Sequence, residues 1–464
     1  MGNSSSSNSV IEVDDNPLNK QERHAVEELY SKFLQDSIPT KEKFCHEFTS
    51  TQYPNFGNSC YQYIVGESKM TLQLFMKFVI NGARSTSTKT LQLVWDIIEV
   101  DSTIPEEQTI DCFFLLLLEL SGCDSNGIQT TATRLSNHVR NYANKNYSSY
   151  LIDSRVLISW TNEYAPHAHK VFVSYLNNKC FHNVELIGYT PFRAPILEDG
   201  SSVINQSDVV PLALYDINLQ GRWKKLYTTQ SDGLSFNRIA HHILGYSGPS
   251  LILIRCGGSD VCIGAYNEDR WRDSNRFYGN SSAFLCTLTP EIRLYRSKPD
   301  SNCAYQWLNL KSYGMPHGLG MGGSLEKFRL FIPDTLEDCI AHSNCLTFEN
   351  GSLLNISNNV ETLPSNSNSS NSFVIDVMEI WGCGGDEVVN DALSAQQKDR
   401  GERDELIRKA RLVDKAAFAS NMFDQEFLLP KNFSHKVRMA DASACDDEKT
   451  SEKNLSPKLQ STLP

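Results

Sequence analysis

The spacing of apolar residues changes along this chain, and that change decides what it can fold into. From about Asn19 to Asn178 apolar residues recur every three or four positions, as in Val26, Leu29 and Phe33, then Leu72, Phe75, Met76 and Val79, then Leu91, Val94, Trp95 and Ile98. That is the signature of helices burying one face, and it predicts a helical domain over residues 19–180. After Asp208 the pattern shortens. Residues 251–254 are continuously apolar, a glycine turn follows at 256–260, and Val261, Ile263 and Ala265 then alternate, which reads as a β-hairpin. Further strands are expected over 284–288, 292–295, 305–310, 328–332 and 373–381, with one helix over 235–244. Strands and helices never alternate as βαβ units, so the expected class is α+β, with a β-sandwich flanked by helices rather than a parallel sheet.

Charge and composition remove several functions. The 464 residues carry 43 Lys and Arg against 55 Asp and Glu, a net charge of −12. An acidic balance opposes a main role in gripping phosphate backbones, so no nucleic-acid partner is expected. No apolar run approaches the ~20 residues of a membrane-spanning helix; the run 112–120 is broken by Glu119. The thirteen cysteines include no C-x-x-C, and Cys256/Cys262 and Cys339/Cys345 match no common zinc spacing. With no signal peptide in the first twenty residues, they are expected to be small core thiols in a reducing compartment, and neither a metal nor a cofactor is expected.

The start of the chain carries a modification signal. Met1-Gly2-Asn3-Ser4-Ser5-Ser6 fits the pattern in which Gly2 is freed and myristoylated, within a flexible segment, 1–18. One myristoyl chain binds a membrane only marginally. The first basic residue is Lys20, and no cysteine lies near Gly2, so a polybasic or second acyl anchor is missing. Stable residence on a membrane then requires a protein partner already there.

Four motifs look chemical and fail on context. Around residues 121–133 a calcium-loop frame places Asp124, Asn126 and Gly127 at positions three, five and six, but Gly122 at position one and Thr133 at twelve, where carboxylates are needed. The helical domain therefore reads as EF-hand-like packing without a sensor. Gly318-Leu319-Gly320-Met321-Gly322-Gly323 satisfies G-x-G-x-x-G, yet a strand follows where a helix should open, so it reads as a structural or interaction loop. Gly245-Tyr246-Ser247-Gly248 is one residue short of a nucleophile elbow. His241-His242 and His167/His169 have no partners in sequence to complete a metal site. No reaction can be assembled, and the protein is expected not to be an enzyme.

The C-terminal part is charged and helical. Residues 386–418 lack proline, and Asp399/Arg403, Asp404/Arg408 and Glu405/Lys409 place acid before base at i, i+4. A helix over 386–430 is expected, polar all round between Gln396 and Glu405. Its apolar stripe is Leu406, Ala410, Val413 and Ala417, with Ile407 at the edge. Such a helix gains little from its own domain, so it either bridges solvent as a loosely folded tail helix or docks into a groove on a partner, and docking is the expectation. The candidate partner-binding residues are Arg403, Leu406, Ile407, Lys409, Ala410, Val413 and Ala417. Residues 431–464 read as a disordered tail.

Several blocks together resemble a known family. Leu226-Tyr227, the run 248–254, Gly264-Ala265-Tyr266, Phe277-Tyr278-Gly279, Ser282-Ala283-Phe284-Leu285, Gly322-Gly323, Phe328-Arg329-Leu330-Phe331 and the run 377–382 occur in the order and spacing of a TLDc domain, over 200–385. The departure is an Asn/Ser-rich insertion, 354–372, which reads as a solvated loop. With the myristoylation-type start, the helical region and the charged C-terminal helix, the chain resembles the mTOR-associated, lysosome-linked TLDc proteins. The resemblance implies a non-enzymatic regulator of the vacuolar-type proton pump. It would act on the cytosolic face of lysosomal or vacuolar membranes, with a link to mTOR signalling and a second pump contact through the C-terminal helix. The alternative it leaves open is an oxidative-stress protective protein in which the TLDc domain acts on a small molecule.

Overall fold

The computed structural model describes residues 17–123, 126–147, 151–186, 188–354 and 372–420, with the side chains of the last helix described as far as Leu412. Gly2 and residues 355–371 of the insertion lie outside the described residues, as do Asp124 of the calcium frame and everything after Ser420.

The helical domain begins where a capping box can form. Asn19 accepts from the Glu22 amide while Glu22 accepts from the Asn19 amide, each at 2.9 Å, which fixes the start of α1 (Lys20–Lys32). A hairpin of two short strands, β1 (Leu34–Gln35) and β2 (Ile38–Pro39), turns through Asp36 and Ser37, both at positive φ. Next come α2 (Lys41–Glu47), α3 (Phe56–Val65), α4 (Leu72–Ala83), α5 (Ser87–Glu99), α6 (Thr109–Leu120), α7 (Ile128–Tyr147), α8 (Ser154–Tyr164) and α9 (Ala168–Cys180). Their apolar faces meet in one core in which Phe33, Phe44, Phe48 and Phe75 pack edge to face and stacked.

The connection between α6 and α7 is shorter than a calcium loop. It occupies residues 121–127, so positions seven to twelve of a twelve-residue loop already lie in α7. Gly127, at positive φ, sits against the Asn205 and Ser207 side chains instead.

The sheets follow: β3 (Ile196–Leu197), β4 (Arg222–Thr228), β5 (Ser250–Cys256), β6 (Cys262–Asn267), β7 (Phe284–Thr289), β8 (Arg293–Tyr295), β9 (Trp307–Asn309), β10 (Gly318–Gly323), β11 (Phe328–Pro333), β12 (Cys339–Ala341), β13 (Ser372–Phe373) and β14 (Ile375–Gly382). Seven form a sheet in the order β3-β4-β14-β5-β6-β7-β8, and five form another in the order β13-β12-β11-β10-β9. All pairings are antiparallel except β3 with β4. The larger sheet is buried on both faces. Leu251 and Leu253 of β5 join the helical core, whereas Ile252 and Ile254 join a second core with Leu319, Met321, Leu330 and Ile332 of the smaller sheet. A strand covered on both sides needs apolar residues at every position, which is why residues 251–254 do not alternate.

Three expectations change here. The stretch after Asp208, expected to turn to short strands, instead runs through a helix, α10 (Gln206–Tyr215), because the apolar run 209–214 is buried all round and carries no period to distinguish it from a strand. The expected loop at residues 318–323 is β10, a fully buried strand between β9 and β11. Its glycines lie opposite aromatics: Gly320 pairs with Phe331, and a Cβ there would stand 2.7 Å from the Phe328 ring. The expected last strand, 373–381, is two strands in different sheets, hinged at exposed Val374, whose carbonyl accepts from the Gly257 amide at 2.8 Å. The remaining helices are α11 (Thr229–Asp232), α12 (Phe236–Ile243) and α13 (Gly385–Ser420).

Candidate functional site

Two places concentrate chemistry: the junction between the helices and β8, and helix α13. At the junction Arg296 bonds through Nη2 to Glu163 at 2.6 Å and to Glu349 at 2.7 Å. Its guanidinium also lies 4.8 Å from the centre of the Tyr164 ring. One cation thus ties the end of α8 to the sheet domain. Beneath it, His138 of α7 accepts at Nδ1 from the Trp160 indole at 3.1 Å. Burial, with a lesser contribution from Arg293, holds its imidazole down at about 4.

This histidine makes stability depend on acidity. Its proton affinity is lower in the folded chain than in the unfolded chain, where the ordinary value of about 6.5 applies, so acid favours unfolding. The contribution is complete above about pH 6.5 and is lost as pH falls toward 4. Between about pH 7 and pH 5 the expected loss is about 2 kcal/mol from His138 alone. Urea unfolding at the two pH values, repeated on His138→Gln, should show the slope reduced by that amount.

The sequence-derived catalytic candidates stay apart. Ser247 lies in the turn between α12 and β5, with no helix following it. His242 contacts the Leu226 carbonyl at 2.6 Å, and His169 that of Pro166 at 3.0 Å. Among the described residues no group of three His, Cys, Asp or Glu is placed to hold a metal. Burial raises the thiols of Cys256, Cys286 and Cys339 to about 12, which disfavours the nucleophilic thiolate.

Helix α13 starts as part of the sheet domain. Val389, Ala392 and Gln396 are buried at i, i+3, i+7, and the Gln396 amide donates to the His242 and Leu244 carbonyls, both at 2.9 Å. It thereby satisfies backbone acceptors at the end of α12. This corrects the expectation that the helix is polar all round from Gln396: a glutamine buried by its hydrogen bonds is invisible to an apolar pattern.

Further along, Gly401–Leu412 are all exposed, and Leu406, Ile407 and Leu412 retain 65%, 49% and 59% of their accessible surface. Of the charged pairs, Glu405–Lys409 closes at 2.9 Å. Arg403, Leu406, Ile407, Lys409 and Ala410 are thus on open helix surface. Val413 and Ala417 lie in the same helix, with side chains outside the described residues.

Residues 197–384 match the family model of the TLDc domain, the span that runs from the end of β3 through β14 and excludes α13. The chain carries a TLDc domain. Over 170 residues it is 28% identical to the mTOR-associated protein MEAK7 of Xenopus laevis, covering 36% of this chain and 33% of that protein. The human protein of that name is 26% identical over 167 residues, 35% of this chain and 32% of its own. Oxidation resistance protein 1 of Xenopus tropicalis is 25% identical over 158 residues, 34% of this chain and 17% of its own. The matched stretch therefore spans about a third of the length of the MEAK7 proteins.

A carboxylate that the sequence reading passed over organises the TLDc domain. Glu379 of β14 is fully buried and accepts from Ser201 Oγ at 2.6 Å, from the Ser202 amide and hydroxyl at 2.9 Å, and from the Trp381 indole at 3.1 Å. Lys225 stands 3.7 Å away and lies over the Trp381 ring. A lone acidic residue between Met378 and Ile380 was the available signal.

Proposed function

We propose that this chain is a non-enzymatic TLDc adaptor. It binds the vacuolar-type proton pump on the cytosolic face of lysosomal or vacuolar membranes and serves mTOR-linked nutrient signalling. The observation that carries this reading is the open surface of α13. Leu406, Ile407 and Leu412 face solvent on a helix whose first turns are fastened to the TLDc domain. Full burial of an aliphatic side chain is worth roughly 1.5–3 kcal/mol, so covering the exposed portions of these three contributes roughly 3–5 kcal/mol towards binding a partner. The names of the MEAK7 relatives, mTOR-associated proteins, support the signalling link.

In this reading myristate on Gly2 supplies weak membrane contact and α13 supplies protein contact. The two combine through effective concentration, each being insufficient alone. Leu406→Asp with Ile407→Asp should weaken pump capture by at least about ten-fold while leaving thermal unfolding unchanged, because neither residue is in the core. Gly2→Ala should lower recovery on membranes and spare binding to soluble pump subunits.

A further inference from the structure

The junction cleft between α7 and β8 has features that neither the fold nor the adaptor reading requires. Its volume is about 630 Å³, and its walls come from the helical domain on one side and from β8 and residues 349–351 on the other. Lys145, Arg293, Arg296 and Lys298 line it against two carboxylates, Glu163 and Glu349, in a chain whose net charge is −12. Arg296 engages both carboxylates, and Arg293 pairs with Glu291 at 2.5 Å outside the lining. Neither lysine forms an ion pair with the two carboxylates that Arg296 holds. Lys298 donates to the Cys345 carbonyl at 2.6 Å and to Asn350 at 3.0 Å, and Lys145 projects from an exposed position on α7.

A second, independent observation lies behind the sheet-side wall. Arg329 is fully buried, its Nη2 donates to the Gly351 carbonyl at 2.6 Å, and its guanidinium stands 5.0 Å from the centre of the Tyr295 ring. Nε and Nη1 have no hydrogen-bond partner. Gly351 and Tyr295 both line the cleft. A buried cation without a carboxylate is costly to keep, and a low-dielectric wall transmits its field into the space beyond.

We infer that this cleft binds a small, multiply charged organic anion of the phosphorylated-metabolite class. Phosphate oxygens accept from the Lys145 and Lys298 ammonium groups, with the field of Arg329 adding to both. The face of Tyr164 is covered by Arg296 and that of Tyr295 by Arg329, so recognition rests on clustered charge rather than on stacking of a base. A ligand held here touches both domains and braces the junction.

The test is calorimetric titration of the full chain with inorganic pyrophosphate, inositol hexakisphosphate and ATP at ~0.15 M salt. Lys145→Glu, Lys298→Glu and the distant surface control Lys89→Glu are run alongside. Saturable one-to-one binding is expected, weakened about ten-fold or more by both cleft variants and unchanged by Lys89→Glu. The tightest of the three probes identifies the phosphate carrier. Lys145 is exposed, so its variant reports on binding even if Lys298→Glu fails to fold. Absence of saturable heat from all three anions, or an equal loss from Lys89→Glu, overturns the inference.

Discussion

Glu379→Ala is expected to lower the unfolding free energy by about 3–5 kcal/mol, the cost of removing one partner from a buried, hydrogen-bonded charge. The size follows from what is left behind. The Ser202 amide and hydroxyl, the Ser201 hydroxyl and the Trp381 indole all lose their acceptor inside the protein, and Lys225 loses its counter-charge. The damage also propagates. Ser201 and Ser202 lead directly into α10, whose Asp208 bonds to Arg134 at 2.7 Å and to Thr131 at 2.8 Å on α7, so Glu379 indirectly holds the helical domain to the sheet. Glu379→Gln keeps the shape and one acceptor and should recover part of the loss. Urea titration of the three proteins measures this; a loss below about 1 kcal/mol for alanine would mean that solvent reaches the site and replaces the carboxylate.

Gly318→Ala is the second large effect. Gly318 has φ of +146°, a conformation closed to alanine without strain, and a Cβ there would stand 2.3 Å from the Ile332 carbonyl oxygen of the paired strand. Backbone strain of roughly 1–3 kcal/mol and forced repacking of roughly 1–3 kcal/mol fall on the same residue. Loss of about 3 kcal/mol or more is expected, seen as a fall in the urea midpoint with the slope unchanged. Gly314, also at positive φ but with open space around it, should tolerate alanine with only the strain cost. Equal effects at the two positions would contradict the packing argument.

The contrast between these glycines explains what the sequence could and could not reveal. The hairpin of β5 and β6 was legible because a continuous apolar run, a glycine turn and the alternation of residues 261–265 follow one another. Strand β10 was not, because glycines weaken strand propensity, and the aromatics that compensate, Phe328 and Phe331, belong to the next strand. Helix α10 was hidden by burial on all sides, and the break between β13 and β14 by a single exposed residue, Val374. The junction was illegible for a different reason: Glu163, Arg296 and Glu349 are far apart in the chain, and only the fold brings them into contact. In α13 the exposed positions of Leu406 and Ile407 lie where the spacing placed an apolar stripe and its edge, whereas the anchor at Gln396 was not legible, since its burial is satisfied by two distant carbonyls.

That anchor shapes the decisive measurement. A stop after Gly385 would remove Val389, Ala392 and Gln396 and so disturb the TLDc domain itself; a stop after Gln396 removes the exposed helix and spares its root. The full chain, this truncation and Leu406→Asp/Ile407→Asp should each be used to capture peripheral subunits of the proton pump from cells under mild detergent, quantified by mass spectrometry. The adaptor account predicts strong enrichment with the full chain and at least about ten-fold less with both altered forms. If no pump subunit is enriched by the full chain while the pump remains intact, or if both altered forms capture it equally well, the account is contradicted. The search would then turn to an activity of the TLDc domain on a small molecule.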